Sequence, residues 1–453
     1  MKKPLTPRHW TELASEIATN DPARLLELMT GSAVNHKGRY LHWDQMRHRE
    51  PPDGLTLEEW WVATAASRSS QSRQLPFTGT DAAPFWFVNT DQIQKMVHRI
   101  DQQASGQIQT DDVVATVGSS DRYVVSSLVE EAITSSLLEG AATTRRAAKQ
   151  LLLEDRQPRD RSDRMVVNNY QAMLRAEELA NSGDTLTPND VMELHRIVTE
   201  GTLDEESDDG RLQQPGETRV AVTWHYGEIL HMPPPAEELP ARLEQLCAFA
   251  NGETDEGFLH PVVRAVLVHF WLGYDHPFVD GNGRTARALF YWLMLRSGYW
   301  LAQYISISSI LRKAPTKYAR AYLYAETDSN DATYFVIHQL EAILQGIEAL
   351  REYLSRKTRE ISEVETLLRD VPGLNHRQLA TLGEALRRPD LRFTITGQRR
   401  KHRVTYQSAR TDLLGLENLG LFEKHKVGKR FEFRAVPNLA DHLLTLSEQP
   451  ANY

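Results

Sequence analysis

Cysteine is nearly absent: the 453 residues hold one, Cys247. A lone thiol excludes an intrachain disulfide framework and a cysteine-built zinc site, and it suits a reducing, cytoplasmic setting. Within "LEQLCAFA", Cys247 reads as a small buried apolar residue. Long apolar runs are missing as well. No stretch approaches the roughly 20 residues needed to cross a bilayer. The opening "MKKPLTPRHWTELASEIA" is basic but has no apolar core, so it does not read as a signal peptide. Positive charge is not in surplus. A net charge of −9 argues against nucleic-acid binding by the molecule as a whole, while leaving room for a local basic patch. Strand-like alternation is scarce, and no repeat of fixed period is visible. What remains is an ordinary globular balance, 41% hydrophobic and 25% charged, in a chain long enough for two or three domains.

Helical periodicity dominates. The first hundred residues mix helical runs with turns, and Trp10, Trp43, Trp60 and Trp61 suggest a small packed unit without evident chemistry. The polar stretch "RIDQQASGQIQTDD" marks a boundary, giving a mostly helical unit over 1–110. From a serine pair, Val125, Leu128, Val129, Ile133 and Leu137 recur at three and four spacings, predicting an amphipathic helix over 120–140 that is capped at Gly140. "RSDRMVVNNYQAMLRAEELA" and "LTPNDVMELHRIVTEGTL" read as further helices, the second with Thr187 as N-cap and Pro188 at its first position. "GETRVAVTWHYGEILHMPPP" has β-branched and aromatic residues on both sides of Tyr226-Gly227, a hairpin signal over about 216–232. Then "HPVVRAVLVHFWLGY" and "TARALFYWLMLRSGY" are apolar nearly all round, as buried helices are.

Between those two helices stands "HPFVDGNGRTAR", His276 to Arg287. As "DGNG" alone it would be a hairpin turn, but helical flanks favour a helix–loop–helix. Glycines let the backbone approach a ligand closely, and successive N–H groups form an anion nest. The following helix adds unpaired N–H groups and its positive dipole end. Arg284 and Arg287 lie three apart, on one helix face within reach of phosphate. Asp280 is a hard oxygen ligand suited to Mg²⁺ shared with phosphate, and His276 is the natural general base. Together these specify phosphate-ester or nucleotide chemistry.

The twelve residues resemble the signature of the Fic family, His-Pro-Phe-x-(Asp/Glu)-Gly-Asn-Gly-Arg-x-x-Arg, at every fixed position. The resemblance spans the middle half of the chain. It implies a mainly α fold: a helical catalytic core over 111–365 with a β-hairpin flap, carrying AMP from ATP to a protein hydroxyl. It implies that His276 deprotonates the target hydroxyl and that Asp280 holds Mg²⁺ against the α- and β-phosphates. Gly281, Asn282 and Gly283 would cradle phosphate, the Asn282 side chain helping to position it. Arg284 would neutralise the β-phosphate and Arg287 would reach the γ-phosphate. Phe278 would anchor in the core and Pro277 would stiffen the start of the loop.

"SSLLEG" resembles the family's inhibitory motif at Ser135, Glu139 and Gly140. The resemblance implies that Glu139 pairs with Arg287 and blocks the productive γ-phosphate position. It leaves open a role for the same glutamate in removing AMP. By its order the hairpin is the expected flap, which would hold a target segment by strand addition. "KYARAYLYAE" resembles the adenine-side helix, with Tyr318 and Tyr322 as nucleotide contacts or as packing aromatics. His225, His260 and His269 lack a metal-ligand pattern and read as structural.

Residues 366–453 resemble a winged helix: "NHRQLATLGEALR", then a helix N-capped by Thr405, then two short strands around a basic turn. Arg399, Arg400, Lys401, Arg403, Arg410, Lys424, Lys426, Lys429, Arg430 and Arg434 cluster there, a pattern open to DNA phosphates or to protein contacts. The expectation is an autoinhibited AMP-transferase using ATP and Mg²⁺. The alternatives are a de-AMPylase, a transferase of another nucleotide, and a nucleotide-sensing transcription regulator. An intact His276 argues against a purely sensory core. A homodimer is an expectation at the level of the family only.

Overall fold

The computed structural model describes residues 2–30, 37–105, 117–153, 156–224, 227–254, 257–369, 373–387, 391–427 and 430–447. His225, Tyr226, Lys429 and the expected boundary near residue 110 lie outside them, as do the side chains of Val125 and Arg430. The fold is mainly helical and divides into two compact units, Met1–Leu350 and Arg351–Tyr453.

The first unit is built on two apolar helices, Pro261–Asp275 and Asn282–Arg296, packed against each other. Helices Arg161–Ser182 and Pro188–Thr199 cover the second of these, and helix Val117–Leu138 packs on Arg161–Ser182. The Val262, Phe270, Trp271, Ala286, Leu289 and Trp292 side chains are almost wholly shielded from water. Burying side chains of this size contributes about 1.5–3 kcal/mol each, so the two helices flanking the polar loop form a rigid frame. Thr187 caps its helix as the sequence predicts: its side chain accepts from Asp190 N, and Asp190 returns a bond to Thr187 N.

The four tryptophans gather as expected. Trp60 and Trp61 lie in a small cluster with Leu13, Leu41 and Met46, and Trp10 and Trp43 pack against it. The N-terminal region also contains a hairpin that the sequence did not announce, Ser72–Thr78 paired antiparallel with Pro84–Val88. Pro76 inside the first strand removes a ladder donor, and the register shifts between Gln74 and Thr78. Phe77, Phe85 and Phe87 from this hairpin join the same core as Phe270 and Trp271. Cys247 is buried in that core, and burial pushes its thiol up to about 12.

The flap hairpin forms at the expected place, with Val222–Trp224 antiparallel to Glu228–His231. The second unit has its own core around Leu382, Phe393, Leu413, Phe422 and Phe433. Its strands Arg392–Thr394, Arg430–Ala435 and Phe422–Val427 form one antiparallel sheet with the middle-named strand at the centre. Helices His376–Arg387, Ile395–His402 and Tyr406–Asn418 complete it, and Thr405 caps the last through Ser408 N. Among the described residues no helix is long and apolar enough to cross a membrane.

Candidate active site

The loop begins where helix Pro261–Asp275 is stopped by His276 in a left-handed conformation, φ 45° and ψ 52°. A non-glycine residue there is strained, and its surroundings hold it. Asp275, buried, accepts from Arg242 Nε at 2.9 Å and Nη2 at 2.7 Å and from Trp271 Nε1 at 2.9 Å. Burial pushes the Asp275 carboxyl up while Arg242 opposes the shift. Arg219 Nη2 donates to the Asp275 and His276 carbonyls at 2.7 and 3.1 Å, and its Nε to Pro234 O at 2.7 Å. Gln213 N donates to Pro277 O at 2.9 Å, and Gln213 Oε1 accepts from Arg219. These contacts fasten both ends of the flap to the loop. His231 adds another, reaching Tyr274 O at 2.7 Å and Glu326 at 3.0 Å.

The half-buried His276 ring has its pKa lowered to about 4. Burial is the main cause, with His231 and Arg219 adding to it and the Gly273 backbone and Glu139 opposing. The imidazole is therefore neutral, and able to accept a proton, through the physiological range.

The turn is held from inside. Phe278 is fully buried, and its backbone N–H and C=O are both bound by the Asn282 side chain, at 2.9 and 2.8 Å. The Asn282 amide is thus a brace for the loop, turned toward the chain rather than outward. His195 stacks on Phe278 with ring centroids 3.7 Å apart. Gly210 N–H donates to its Nδ1 at 3.2 Å, so the ring proton sits on Nε2 and is donated to Asp280 O at 2.9 Å. Burial lowers the His195 pKa to about 4, which preserves that neutral tautomer. Gly281 sits at φ 82°, and a β-carbon there would come within 2.7 Å of Thr199 Cγ2; only glycine satisfies both conditions.

Asp280 is partly exposed and lies between two arginines, Arg161 Nη2 at 3.4 Å and Arg284 Nη2 at 3.4 Å. Arg284 is fully buried and donates from Nη1 to Val198 O at 2.6 Å. Burial lowers its pKa, with Asp280 opposing.

Arg287 is buried one helical turn further on. Its Nε donates to Ser135 Oγ at 2.9 Å, and its Nη2 to Ser135 O at 3.3 Å and Glu139 Oε1 at 2.8 Å. Burial opposes its charge, but Glu139 and Tyr318 outweigh it and raise the pKa. The Glu139 carboxylate also lies over the start of helix Asn282–Arg296: a β-carbon on Gly283 would collide with Oε1 and stand 2.9 Å from Cδ. Gly140, at φ 90°, follows the end of helix Val117–Leu138, and Ala141 N closes the turn on Ser136 O at 3.0 Å.

Tyr318 and Tyr322 lie on helix Pro315–Thr327, half-buried. Tyr318 Oη meets His269 Nε2 at 2.9 Å, and the Tyr322 ring stacks on Phe270. Burial raises the Tyr318 pKa and the Arg287 charge opposes it, placing Tyr318 beside the arginine. His269 is buried, and His260 caps helix Pro261–Asp275 through Val262 N, as structural histidines do.

The structure thus brings His276, Asp280, Gly281, Gly283, Arg284 and Arg287 around one loop and sets Ser135 and Glu139 against it. Sequence reasoning missed Asp275, Gln213, Arg219, Arg242, His195 and Arg161. Asp275 adjoins the motif; the others carried no local signal.

A helical frame, a glycine turn at a helix N-terminus and a neutral histidine at its neck make up the site. Residues 185–294 match the Fic/DOC family. It is 37% identical over 114 residues to a Drosophila grimshawi protein named protein adenylyltransferase Fic, a match covering 25% of this chain and 21% of that one. A Culex quinquefasciatus protein of the same name is 36% identical over 122 residues, covering 27% and 22%. The chain therefore spans about a fifth of the length of these relatives. Among solved structures, a Fic family protein from Desulfovibrio desulfuricans is similar at 21% identity, with a TM-score of 0.49, covering 78% of this chain and 98% of that one.

Proposed function

We propose that the chain is an autoinhibited protein adenylyltransferase, moving AMP from ATP to a Ser, Thr or Tyr hydroxyl of a target protein or of itself. The observation that carries this reading is the Arg287–Glu139 ion pair at 2.8 Å over the glycine turn, beside a neutral His276. The relatives' name supports the choice of AMP as the group transferred.

His276 takes the proton from the target hydroxyl. The hydroxyl oxygen bonds to the α-phosphorus, the bond to the bridging β-oxygen breaks, and pyrophosphate leaves. Backbone N–H groups at Gly281–Gly283 and the dipole of helix Asn282–Arg296 receive phosphate charge. Arg284 and Arg287 neutralise the β- and γ-phosphates. The braced loop keeps these groups in place, so catalysis is mostly positioning and charge stabilisation. Among the described residues no three His, Cys, Asp or Glu side chains cluster to hold a metal. Asp280, a single partly exposed carboxylate and a hard oxygen donor, is the residue that would hold Mg²⁺. Bound there, Mg²⁺ would supply charge neutralisation of the phosphates. Glu139 keeps Arg287 from the γ-phosphate, and ATP then binds with its α-phosphate off the line of attack. Incubation with α-labelled ATP tests this reading: label enters protein in the wild type or Glu139→Gly, and not in His276→Ala.

The second unit supports a further, separable reading as a DNA-contacting winged helix. From Leu391 to Arg434 it carries eleven Lys and Arg against four Asp and Glu. Helix Tyr406–Asn418 exposes Tyr406, Gln407, Arg410 and Thr411 near its start, close in sequence to exposed Arg399, Arg400 and Arg403. Binding of the full chain to labelled duplex DNA that weakens steeply with salt, and weakens in Arg399→Ala/Arg400→Ala, supports it. No binding at low salt rejects it.

A further inference from the structure

Glu131, Ser135 and Glu139 recur every four residues, so they share one face of helix Val117–Leu138 and its final turn. Ser135 and Glu139 hold Arg287. Glu131 points into the protein, with 1% of its surface exposed, and nothing in the transfer chemistry above uses it. Its carboxylate is fully engaged by one short segment. Oε2 accepts from Ser306 Oγ at 2.8 Å and from Ser308 N at 3.1 Å, and Oε1 accepts from Ser308 Oγ. Thr134 Oγ1, one residue before Ser135, lies 2.9 Å from Ser306 Oγ.

The receiving segment is itself fixed to the helix that bears Arg287. Tyr291 Oη donates to Ile305 O at 2.7 Å and accepts from Ile307 N at 3.0 Å. Tyr291 stands one turn after Arg287 on helix Asn282–Arg296. The two helices are therefore joined twice: by Glu139–Arg287 at one end, and by Glu131 through Ser306–Ser308 to Tyr291 at the other. Leu128, Val129, Ala132 and Ile133 bury the same helix, but apolar burial is non-directional. Three bonds to one buried carboxyl group are directional.

We propose that Glu131 is a positioning residue of the inhibitory contact, fixing the depth and register of the helix so that Glu139 meets Arg287. This rests on the autoinhibited reading above. Loss of the anchor lets the helix shift and frees Arg287 without altering Glu139 itself.

The test uses the full chain and α-labelled ATP, comparing wild type, Glu139→Gly, Glu131→Ala, Glu131→Gln and Glu131→Ala/Glu139→Gly. Glu131→Ala is expected to raise labelling by about tenfold, the shift that follows from losing a buried hydrogen-bond partner. Glu131→Gln keeps the shape and raises it less. The double variant should label no more than Glu139→Gly alone, because both act on one contact. Amide exchange over residues 128–140 should quicken in Glu131→Gln, a readout that needs no activity. Wild-type labelling and wild-type exchange in both Glu131 variants, with Glu139→Gly activated, overturn the proposal. So does labelling below wild type in Glu131→Ala. A Glu139→Gly protein that stays at the wild-type level instead overturns the autoinhibited reading on which it stands.

Discussion

The carboxylate that binds Arg287 at 2.8 Å also fills the space where a β-carbon on Gly283 would have to go, with Glu139 Cδ only 2.9 Å from that point. Glu139 and the glycine turn are thus packed against each other, and the absence of a side chain at Gly283 permits it. Gly283→Ala should force them apart. Overpacking of this kind costs about 1–3 kcal/mol. In a Glu139→Gly background the added methyl loses most of its clash, so the cost should shrink there. Urea denaturation of the four proteins measures the coupling, and an equal cost in both backgrounds contradicts the packing described.

Asn282 serves the loop through two bonds to the Phe278 backbone. Asn282→Ala leaves that buried N–H and C=O without partners, at a cost of about 1–3 kcal/mol. A loosened loop should lower kcat for AMP transfer more than it raises KM for ATP. A variant that keeps wild-type stability would show that the brace is dispensable.

His276, with its pKa lowered to about 4 by burial, is already neutral at pH 5. A general base acts in its neutral form, so activity is lost as pH falls through its pKa. The acid limb of kcat/KM, measured in Glu139→Gly, should therefore lie below pH 5, well under the usual histidine value of about 6.5. Because Glu139 raises the His276 pKa, its removal pushes the limb lower still. A limb centred on the ordinary histidine value would show that the ring is solvated during turnover.

Arg161 and Arg284 flank Asp280, each 3.4 Å from it. Arg161 is largely exposed, so its pairing is screened and worth little for stability. It does set a positive charge beside the carboxylate proposed for Mg²⁺. Arg161→Ala should lower the half-saturating Mg²⁺ concentration by roughly threefold, read in the Glu139→Gly background. An unchanged or higher requirement would separate Asp280 from the metal.

The sequence made the middle of the site legible because its chemistry is local. His276 to Arg287 are contiguous, and the apolar flanks state that two buried helices frame them. The Glu139–Arg287 pair was reachable only through the resemblance of "SSLLEG" to the Fic inhibitory motif, beside a complete catalytic motif. The supporting contacts were not, since they join residues far apart in the chain. Arg219 reaches the His276 carbonyl across 57 residues, and His195 reaches Asp280 across 85. Arg242 and Glu131 look like surface charges in their helices, and only the fold shows that each is buried against a specific partner. The Ser72–Thr78 strand escaped notice because Pro76 and a register shift break its alternation.

Phosphoryl transfer restrained by Glu139 makes one demand above the others. Full-length wild type, Glu139→Gly and Glu139→Gly/His276→Ala are incubated with α-labelled ATP and Mg²⁺, and modified residues are identified by mass spectrometry. Labelling should rise by on the order of tenfold to a hundredfold in Glu139→Gly, the range of a typical coupling between sites, with AMP on a hydroxyl side chain, and should vanish in the double variant. Equal labelling in wild type and Glu139→Gly, or label that persists without His276, would contradict the account.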